Sequence, residues 1–122
     1  MQGETIMKNK YGNEPVVISG LKFDSKKEAR RWRELQLLER VGKICELERQ
    51  VAFALAPSVK YADAKRATPA LRYVADFCYF EEYGSGDTSR YVVEDVKGVK
   101  TSAYKIKRHL MLTVHKIEVR EV

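Results

Sequence analysis

Two stretches decide how this chain is expected to fold: Leu71-Arg-Tyr-Val-Ala-Asp76-Phe-Cys-Tyr-Phe80 and Tyr91-Val-Val-Glu-Asp95-Val-Lys97-Gly98. Both are rich in β-branched and aromatic residues, a composition typical of strands. Between them, Tyr83-Gly-Ser-Gly-Asp-Thr88 carries a strong turn signal. The two stretches are therefore predicted to be neighbouring strands of one sheet.

Each predicted strand carries an acid. Because alternate side chains of a strand share a face, Asp95 and Lys97 are expected to point the same way. The same rule places Asp76 on an otherwise apolar face with Val74 and Cys78. A charge on a core-facing side is costly unless it is paired or binds a metal. Two such acids and a lysine predict a divalent-metal site, and the alternative is a buried Asp–Lys ion pair.

Hard cations such as Mg²⁺ take oxygen ligands, usually one or two carboxylates plus water and substrate phosphate. Such an ion neutralises charge on a phosphodiester and activates water, and a nearby lysine can orient that water. Glu94 competes with Asp95 for the role of ligand. Alternation places Glu94 on the opposite face from Lys97, so Asp95 is favoured.

The rest of the chain separates into a short leader and one folded unit. Residues 1–14 are polar and lack periodicity, and they are predicted to be a flexible basic segment in which Lys8, Lys10 and Tyr11 could touch phosphates. Residues 15–122 are predicted to form a single domain. Its predicted elements are a hairpin at 16–23, a helix from the capping box Ser25–Glu28 to Gly42, a strand at 44–55, a loop at 56–70, strands at 71–82 and 90–97, a helix at 102–115 and a strand at 116–122.

Both helices show apolar residues at helical spacing, and these rows are expected to face the core. The fold class is therefore α/β, with helices on a mixed sheet (α+β). The apolar row of the first helix is Ala29, Trp32, Leu35 and Leu38, and that of the second is Ala103, Ile106, Leu110 and Val114.

The charge balance favours a polyanionic partner such as nucleic acid. The chain holds 23 basic and 17 acidic residues, which gives a net charge of +6 and suits phosphate binding. An ordinary solvated basic surface is the alternative. Two basic clusters are candidates for phosphate contacts in a groove lined by both helices. They are Lys26, Lys27, Arg30, Arg31 and Arg33 on the first helix, and Lys100, Tyr104, Lys105, Lys107 and Arg108 at the second.

Two further residues are ambiguous. Glu28 is explained by its place in the capping box, although it could also point a carboxylate toward the strands. Gln50 shares a strand face with other polar residues, which indicates a solvated edge, and a site-facing amide is the alternative.

Cys45 and Cys78 are too few and too far apart for a zinc motif, and both are expected to be reduced core residues. No long apolar run and no signal-peptide pattern occurs. A cytoplasmic location without a membrane span is therefore expected.

Four blocks also resemble the PD-(D/E)XK nuclease superfamily, and within it a small phage- and prophage-associated endonuclease group. The resemblance spans about residues 16–122, and the superfamily's restriction-endonuclease-like core has the order α-β-β-β-α-β expected above. Ala75 stands where the superfamily's name has proline. The blocks are Phe23-Asp-Ser-Lys-Lys-Glu28-Ala-Arg, Leu47-Glu-Arg-Gln50, Tyr73-Val-Ala-Asp76-Phe77 and Val93-Glu-Asp95-Val-Lys97-Gly98.

The resemblance implies a nuclease domain that cleaves DNA phosphodiesters with Mg²⁺, for which Mn²⁺ can substitute. Asp76 and Asp95 would be metal ligands, with the Val96 carbonyl and Glu28 as further ligands. Lys97 would position the attacking water, and Gln50 would be a peripheral site residue.

The expected function is structure-selective cleavage of branched or junction DNA in phage recombination, because 122 residues leave little room for a sequence-reading domain. A homodimer and phage recombination or packaging proteins are the expected partners, in the host cytoplasm if the protein is phage-encoded. The first alternative is a DNA-binding accessory module that does not cut. The second is a small structural protein with an internal Asp–Lys pair.

Overall fold

The computed structural model describes residues 4–6, 15–82 and 89–122. The turn predicted at 83–88 and the phosphate contacts expected of Lys8, Lys10 and Tyr11 lie outside these residues. The elements are β1 (Glu4–Ile6), β2 (Val16–Ile18), β3 (Leu21–Phe23), α1 (Lys26–Arg40), β4 (Ile44–Ala56), β5 (Leu71–Glu82), β6 (Ser89–Asp95), α2 (Ser102–His115) and β7 (Arg120–Glu121).

The predicted N-terminal hairpin is confirmed. β2 and β3 pair antiparallel around a turn in which Gly20 has φ +81, a value that glycine adopts without steric cost. β1 adds a third strand beside β2, within a segment for which no strand was predicted. Val16 and Phe23 pack with Ala29 of α1 in a small buried cluster, which fixes the hairpin against the helix.

The predicted limits of the first helix are also confirmed. Ser25 Oγ accepts a hydrogen bond from the Glu28 amide at 3.1 Å, which is an N-cap. At the other end, Gly42 has φ +83 and the Lys43 amide donates to the Leu38 carbonyl at 2.9 Å, a Schellman-type ending. The predicted apolar row faces inward, because Ala29 and Leu35 are buried and Trp32 and Leu38 pack against the core.

The main sheet has the order β4-β5-β6-β7. β4, β5 and β6 pair antiparallel, whereas β7 runs parallel to β6. β7 is only two residues long, shorter than the strand predicted at 116–122, and the Val122 amide donates to the Asp95 carbonyl at 3.0 Å. The predicted mixed α and β class is confirmed, and the last strand holds the end of the chain beside Asp95.

The sheet is covered on one side by α1 and on the other by α2. On the α1 side, Phe77 and Tyr79 pack with Leu35. On the α2 side the core consists of Leu55, Tyr73, Ala75, Cys78, Val93, Tyr104, Met111 and Val119.

Strict alternation fails in β5. Tyr73, Ala75 and Cys78 all belong to the α2-side cluster, although residues 75 and 78 have opposite parity. Val74 and Cys78, which were expected to share one apolar face with Asp76, differ in exposure, since Val74 is 41% exposed while Cys78 is buried. Gln50, which pairs opposite Asp76 in the register, has φ 55, and such a residue interrupts the regular pleat of a strand.

The apolar row predicted for α2 is wrong except at Leu110, which packs against the core. Tyr104 and Met111 are the buried residues of this helix, whereas Ile106 is 60% and Val114 49% exposed. The helix packs on these two larger side chains because Tyr73 on the sheet meets the Tyr104 ring, with centroids 6.4 Å apart.

The two cysteines differ in how exposed they are. Cys78 is buried, but Cys45 is exposed, so the prediction that both cysteines are core residues is wrong for Cys45.

Within the described part of the chain, no helix has the length and apolar character needed to cross a bilayer.

Candidate active site

Asp76 and Asp95 meet at the end of the β5–β6 ladder. The register pairs Cys78 with Val93 and Phe77 with Glu94, so the next position sets Asp76 opposite Asp95. The Val96 amide donates to Asp76 Oδ2 at 2.8 Å. Burial, and then the adjacent carboxyl group of Asp95, raise the pKa of Asp76 well above its usual range. The two acids expected to converge do so.

The two oxygens of Asp95 differ in their surroundings. Oδ2 accepts from the Tyr73 hydroxyl at 2.5 Å and lies 3.3 Å from Lys97 Nζ. Oδ1 is buried and finds no hydrogen-bond partner among the described residues. A buried carboxylate oxygen without a partner is costly, so this atom is the strongest local indication of an absent cationic ligand.

Lys97 joins Asp95 to α2. Its ammonium lies 4.5 Å from the centre of the Tyr104 ring, a cation–π contact, while its side chain keeps 27% of its surface exposed. The amine is thus fixed beside the carboxylate pair and open to solvent. This matches the predicted placement of Lys97 on the Asp95 face.

Glu28 both caps its helix and faces the site. Its Oε2 accepts from the Asp24 amide at 3.2 Å, and its Oε1 accepts from Gln50 Nε2 at 3.5 Å. Arg49 lies 3.9 Å from the same Oε1. Burial is the main cause that raises the pKa of Glu28, and the charge of Asp95 adds to it.

Gln50 is turned toward the site rather than being only part of a solvated edge. Its amide reaches Glu28, and its φ of 55 places a non-glycine residue in the left-handed region. Such strain is concentrated at functional sites, and here it occurs opposite Asp76 in the register.

The local charges suit a divalent cation. Three carboxyl groups, of Glu28, Asp76 and Asp95, face two cations, Arg49 and Lys97. A divalent cation could balance this excess of negative charge. The described residues contain no cluster of three or more His, Cys, Asp or Glu spaced to hold a metal ion. Mg²⁺ needs only one or two carboxylates together with water, so the donor set fits it.

Glu94 lies on the other face of β6, as predicted. It is fully buried, and Arg31 binds it through two hydrogen bonds of 2.6 and 2.9 Å. The Tyr79 hydroxyl donates a third at 2.5 Å. With its charge and both oxygens satisfied, Glu94 ties α1 to the sheet. Arg31 is consequently committed to this pair, although the sequence grouped it with the phosphate-contact candidates.

Most of the predicted nucleic-acid contacts line one of two cavities. Tyr104 is buried, and its hydroxyl donates to Glu121. Lys26 is exposed at the start of α1 and Lys107 is half-buried on α2, and neither lines these cavities. A cavity of about 180 Å³ is lined by Lys27, Arg30, Arg31, Glu34, Val96 and Val122. A larger one of about 420 Å³ is lined by Lys100, Tyr104, Lys105, Arg108, His109, Leu112, Glu118 and Glu121.

Sequence reasoning missed three residues that contact the site or its neighbours, namely Arg49, Tyr73 and Glu121. Tyr73 stands three residues before Asp76, where alternation would place it on the opposite face, so its bond to Asp95 was not foreseen. Glu121 accepts from the Tyr104 hydroxyl at 2.8 Å, and only the parallel return of β7 brings it there. Tyr73 could have been considered because it lies close to Asp76 in the sequence. The parallel pairing of β7 with β6 could not be predicted from the sequence.

Comparison with known proteins gives one match. A family described as a protein of unknown function (DUF1064) covers residues 8–121. The chain belongs to this family. No curated protein and no solved structure matches it. The candidate site lies wholly within the matched residues, so this DUF1064 member carries it inside the part that defines the family.

Proposed function

We propose that this DUF1064 protein is a Mg²⁺-dependent DNA endonuclease with a restriction-endonuclease-like core. The observation that supports it best is the Asp76–Asp95 pair. Asp95 is buried, Asp76 is half-buried, the Lys97 amine lies beside Asp95 Oδ2, and Asp95 Oδ1 has no hydrogen-bond partner among the described residues. A protein that needed only stability would have little use for this arrangement, because buried unpaired acids are costly.

Asp76 and Asp95 would hold the Mg²⁺, with the Val96 carbonyl and Glu28 as further donors. When bound, the ion would supply charge neutralisation at the phosphodiester. Lys97 is fixed between Asp95 and the Tyr104 ring, where its amine can orient a water for in-line attack or stabilise the charge that develops on the phosphate. Gln50 holds Glu28 in place at the margin of the site.

DNA is the proposed substrate because the chain carries a net charge of +6 and basic cavities at both helices. Branched or junction DNA is the proposed form, following the resemblance to small phage-associated nucleases. Two symmetric cuts in such DNA require two sites, which a homodimer would provide.

The test is incubation of purified protein with Mg²⁺ or Mn²⁺ and a panel of single-stranded, duplex, flap and four-way DNAs. We expect cleavage that requires the ion, disappears in EDTA and is absent in Asp95→Asn. Preference for the four-way DNA over duplex would support junction cleavage, and equal rates would contradict it.

The Asp95–Lys97 contact is also what a structural ion pair would show, so the panel must separate three functions. Binding without cutting by the wild-type protein would indicate the accessory module. If there were neither binding nor cutting, and Asp95→Asn lowered stability, the site would be structural.

A further inference from the structure

A carboxylate of this chain occupies a site that is built for an anion. Glu121 Oε2 accepts from the Tyr104 hydroxyl at 2.8 Å, and Oε1 lies 3.1 Å from Lys100 Nζ and 3.7 Å from Arg108 Nη1. One hydroxyl and two cationic side chains converging on one group is a donor set typical of phosphate recognition.

The surroundings are open enough for a larger anion. The donors line the cavity of about 420 Å³, to which Lys105 and His109 add basic groups and Glu118 adds one acid. Lys100 and Arg108 keep 50% and 39% of their side-chain surface exposed. Ion pairs this exposed contribute little stability, so the protein can exchange Glu121 for another anion at low cost.

This cavity adjoins the candidate active site through a single side chain. One face of the Tyr104 ring meets Lys97 Nζ at 4.5 Å, and the hydroxyl of the same ring reaches Glu121. A nucleic-acid strand whose scissile phosphate lay at Lys97 would therefore bring a neighbouring phosphate toward Lys100 and Arg108.

We propose that the cavity between α2 and β7 binds a backbone phosphate next to the scissile one, and that Glu121 occupies this site until nucleic acid displaces it. The identity of the ligand as DNA rests on the proposed function. The presence of an anion site occupied by an internal carboxylate rests on the contacts of Glu121 alone.

The test compares Glu121→Gln with Glu46→Gln, since Glu46 is an exposed acid on β4. Both changes raise the net charge by one, and only the first removes the competing carboxylate. Binding of a fluorescently labelled DNA duplex is measured in EDTA at low salt, where no cleavage occurs. We expect Glu121→Gln to bind about fivefold more tightly than Glu46→Gln. Equal or weaker binding would overturn the proposal.

A second pair of variants decides the question if Glu121→Gln does not fold. Lys100→Gln should weaken the same binding several-fold relative to Lys60→Gln, because Lys60 lies in the exposed loop that follows β4. Equal losses in the two variants would overturn the phosphate site.

The outcome is separable from that of the nuclease proposal. Tighter binding by Glu121→Gln together with no Mg²⁺-dependent cleavage would leave the anion site standing and end the nuclease assignment. Cleavage by the wild type, with Glu121→Gln binding no more tightly than Glu46→Gln, would support the nuclease assignment and overturn the anion site. No DNA binding by any of the folded variants would overturn the phosphate site.

Discussion

Two adjacent residues of β6, Glu94 and Asp95, are both buried acids, and they differ in how completely they are neutralised. Glu94 receives two bonds from Arg31 and one from Tyr79. Asp95 shares its surroundings with a second acid and one lysine, and its Oδ1 has no partner among the described residues. Burial alone therefore does not mark a functional acid.

The balance of charges and hydrogen-bond donors separates a structural carboxylate from a candidate ligand. Glu94 closes the contact between α1 and the sheet, and it leaves nothing for a ligand to satisfy. Asp95 has one oxygen without a hydrogen-bond partner among the described residues, and its surroundings lack one positive charge. A divalent cation could contact that oxygen and supply the charge.

The largest effect is expected from Asp95→Asn. The change keeps the shape and removes a charge that a cation would need, so Mg²⁺-dependent DNA cleavage should fall by about a thousandfold or more. DNA binding should be retained or strengthened, because an acid facing phosphate is gone. Cleavage at the wild-type rate in a gel assay would show that the site is assigned wrongly.

Glu94→Gln should act on stability instead. It leaves the Arg31 guanidinium without its buried counter-charge, and the free energy of unfolding in urea should drop by about 3 kcal/mol. The matched control is Glu34→Gln, which removes the exposed partner of the same arginine at 3.0 Å and should cost under about 1 kcal/mol. Similar costs for the two variants would mean that Glu94 is not the structural member of the comparison.

Tyr73→Phe should have a smaller effect, and it should change both the stability and the binding of Mg²⁺. It removes the hydroxyl that donates to Asp95 Oδ2, at a cost of about 1 kcal/mol in stability, and it should weaken Mg²⁺ binding several-fold because the carboxylate is less firmly held. Tyr61→Phe, at an exposed tyrosine, is the control. An unchanged Mg²⁺ affinity would remove Tyr73 from the site.

The smallest effect is expected at Glu81, an acid outside both buried groups. Hydrogen bonds from Arg120 and then Arg90 lower the pKa of Glu81 to about 2. The resulting stabilisation is complete above the unfolded pKa of 4.5 and is lost as the pH falls toward 2. Glu81→Gln should therefore cost under about 1 kcal/mol at neutral pH.

Unfolding curves measured across the acid range would check this dependence. The difference between Glu81→Gln and wild type should shrink below the unfolded pKa of the carboxyl. A difference that stays constant down to pH 2 would show that the loss comes from packing.

Most of the fold could be predicted because the residues that begin and end each element lie next to it in the sequence. Ser25 and Gly42 mark the limits of α1, and both are visible as a capping residue and a helix-ending glycine. The buried face of α2 could not be predicted in this way, because α2 carries two apolar rows. Tyr104 and Met111 are selected by Tyr73 on the sheet and by Val119, which lies just before β7.

The candidate site could likewise be predicted only in part from the sequence. Asp76, Asp95 and Lys97 could be placed together because strand alternation and pairing of neighbours suffice for that. The atoms that decide the chemistry could not be foreseen. The Tyr73 bond depends on the interrupted pleat opposite Gln50, and the position of Glu121 depends on the parallel pairing of β7 with β6.

A calorimetric titration of Mg²⁺ into the wild-type protein, Asp95→Asn and Glu94→Gln at neutral pH tests most directly whether Asp95 is a metal ligand. We expect saturable binding by the wild type, loss of that binding in Asp95→Asn, and its retention in the folded fraction of Glu94→Gln. Absence of binding by the wild type, or equal binding by Asp95→Asn, would contradict it.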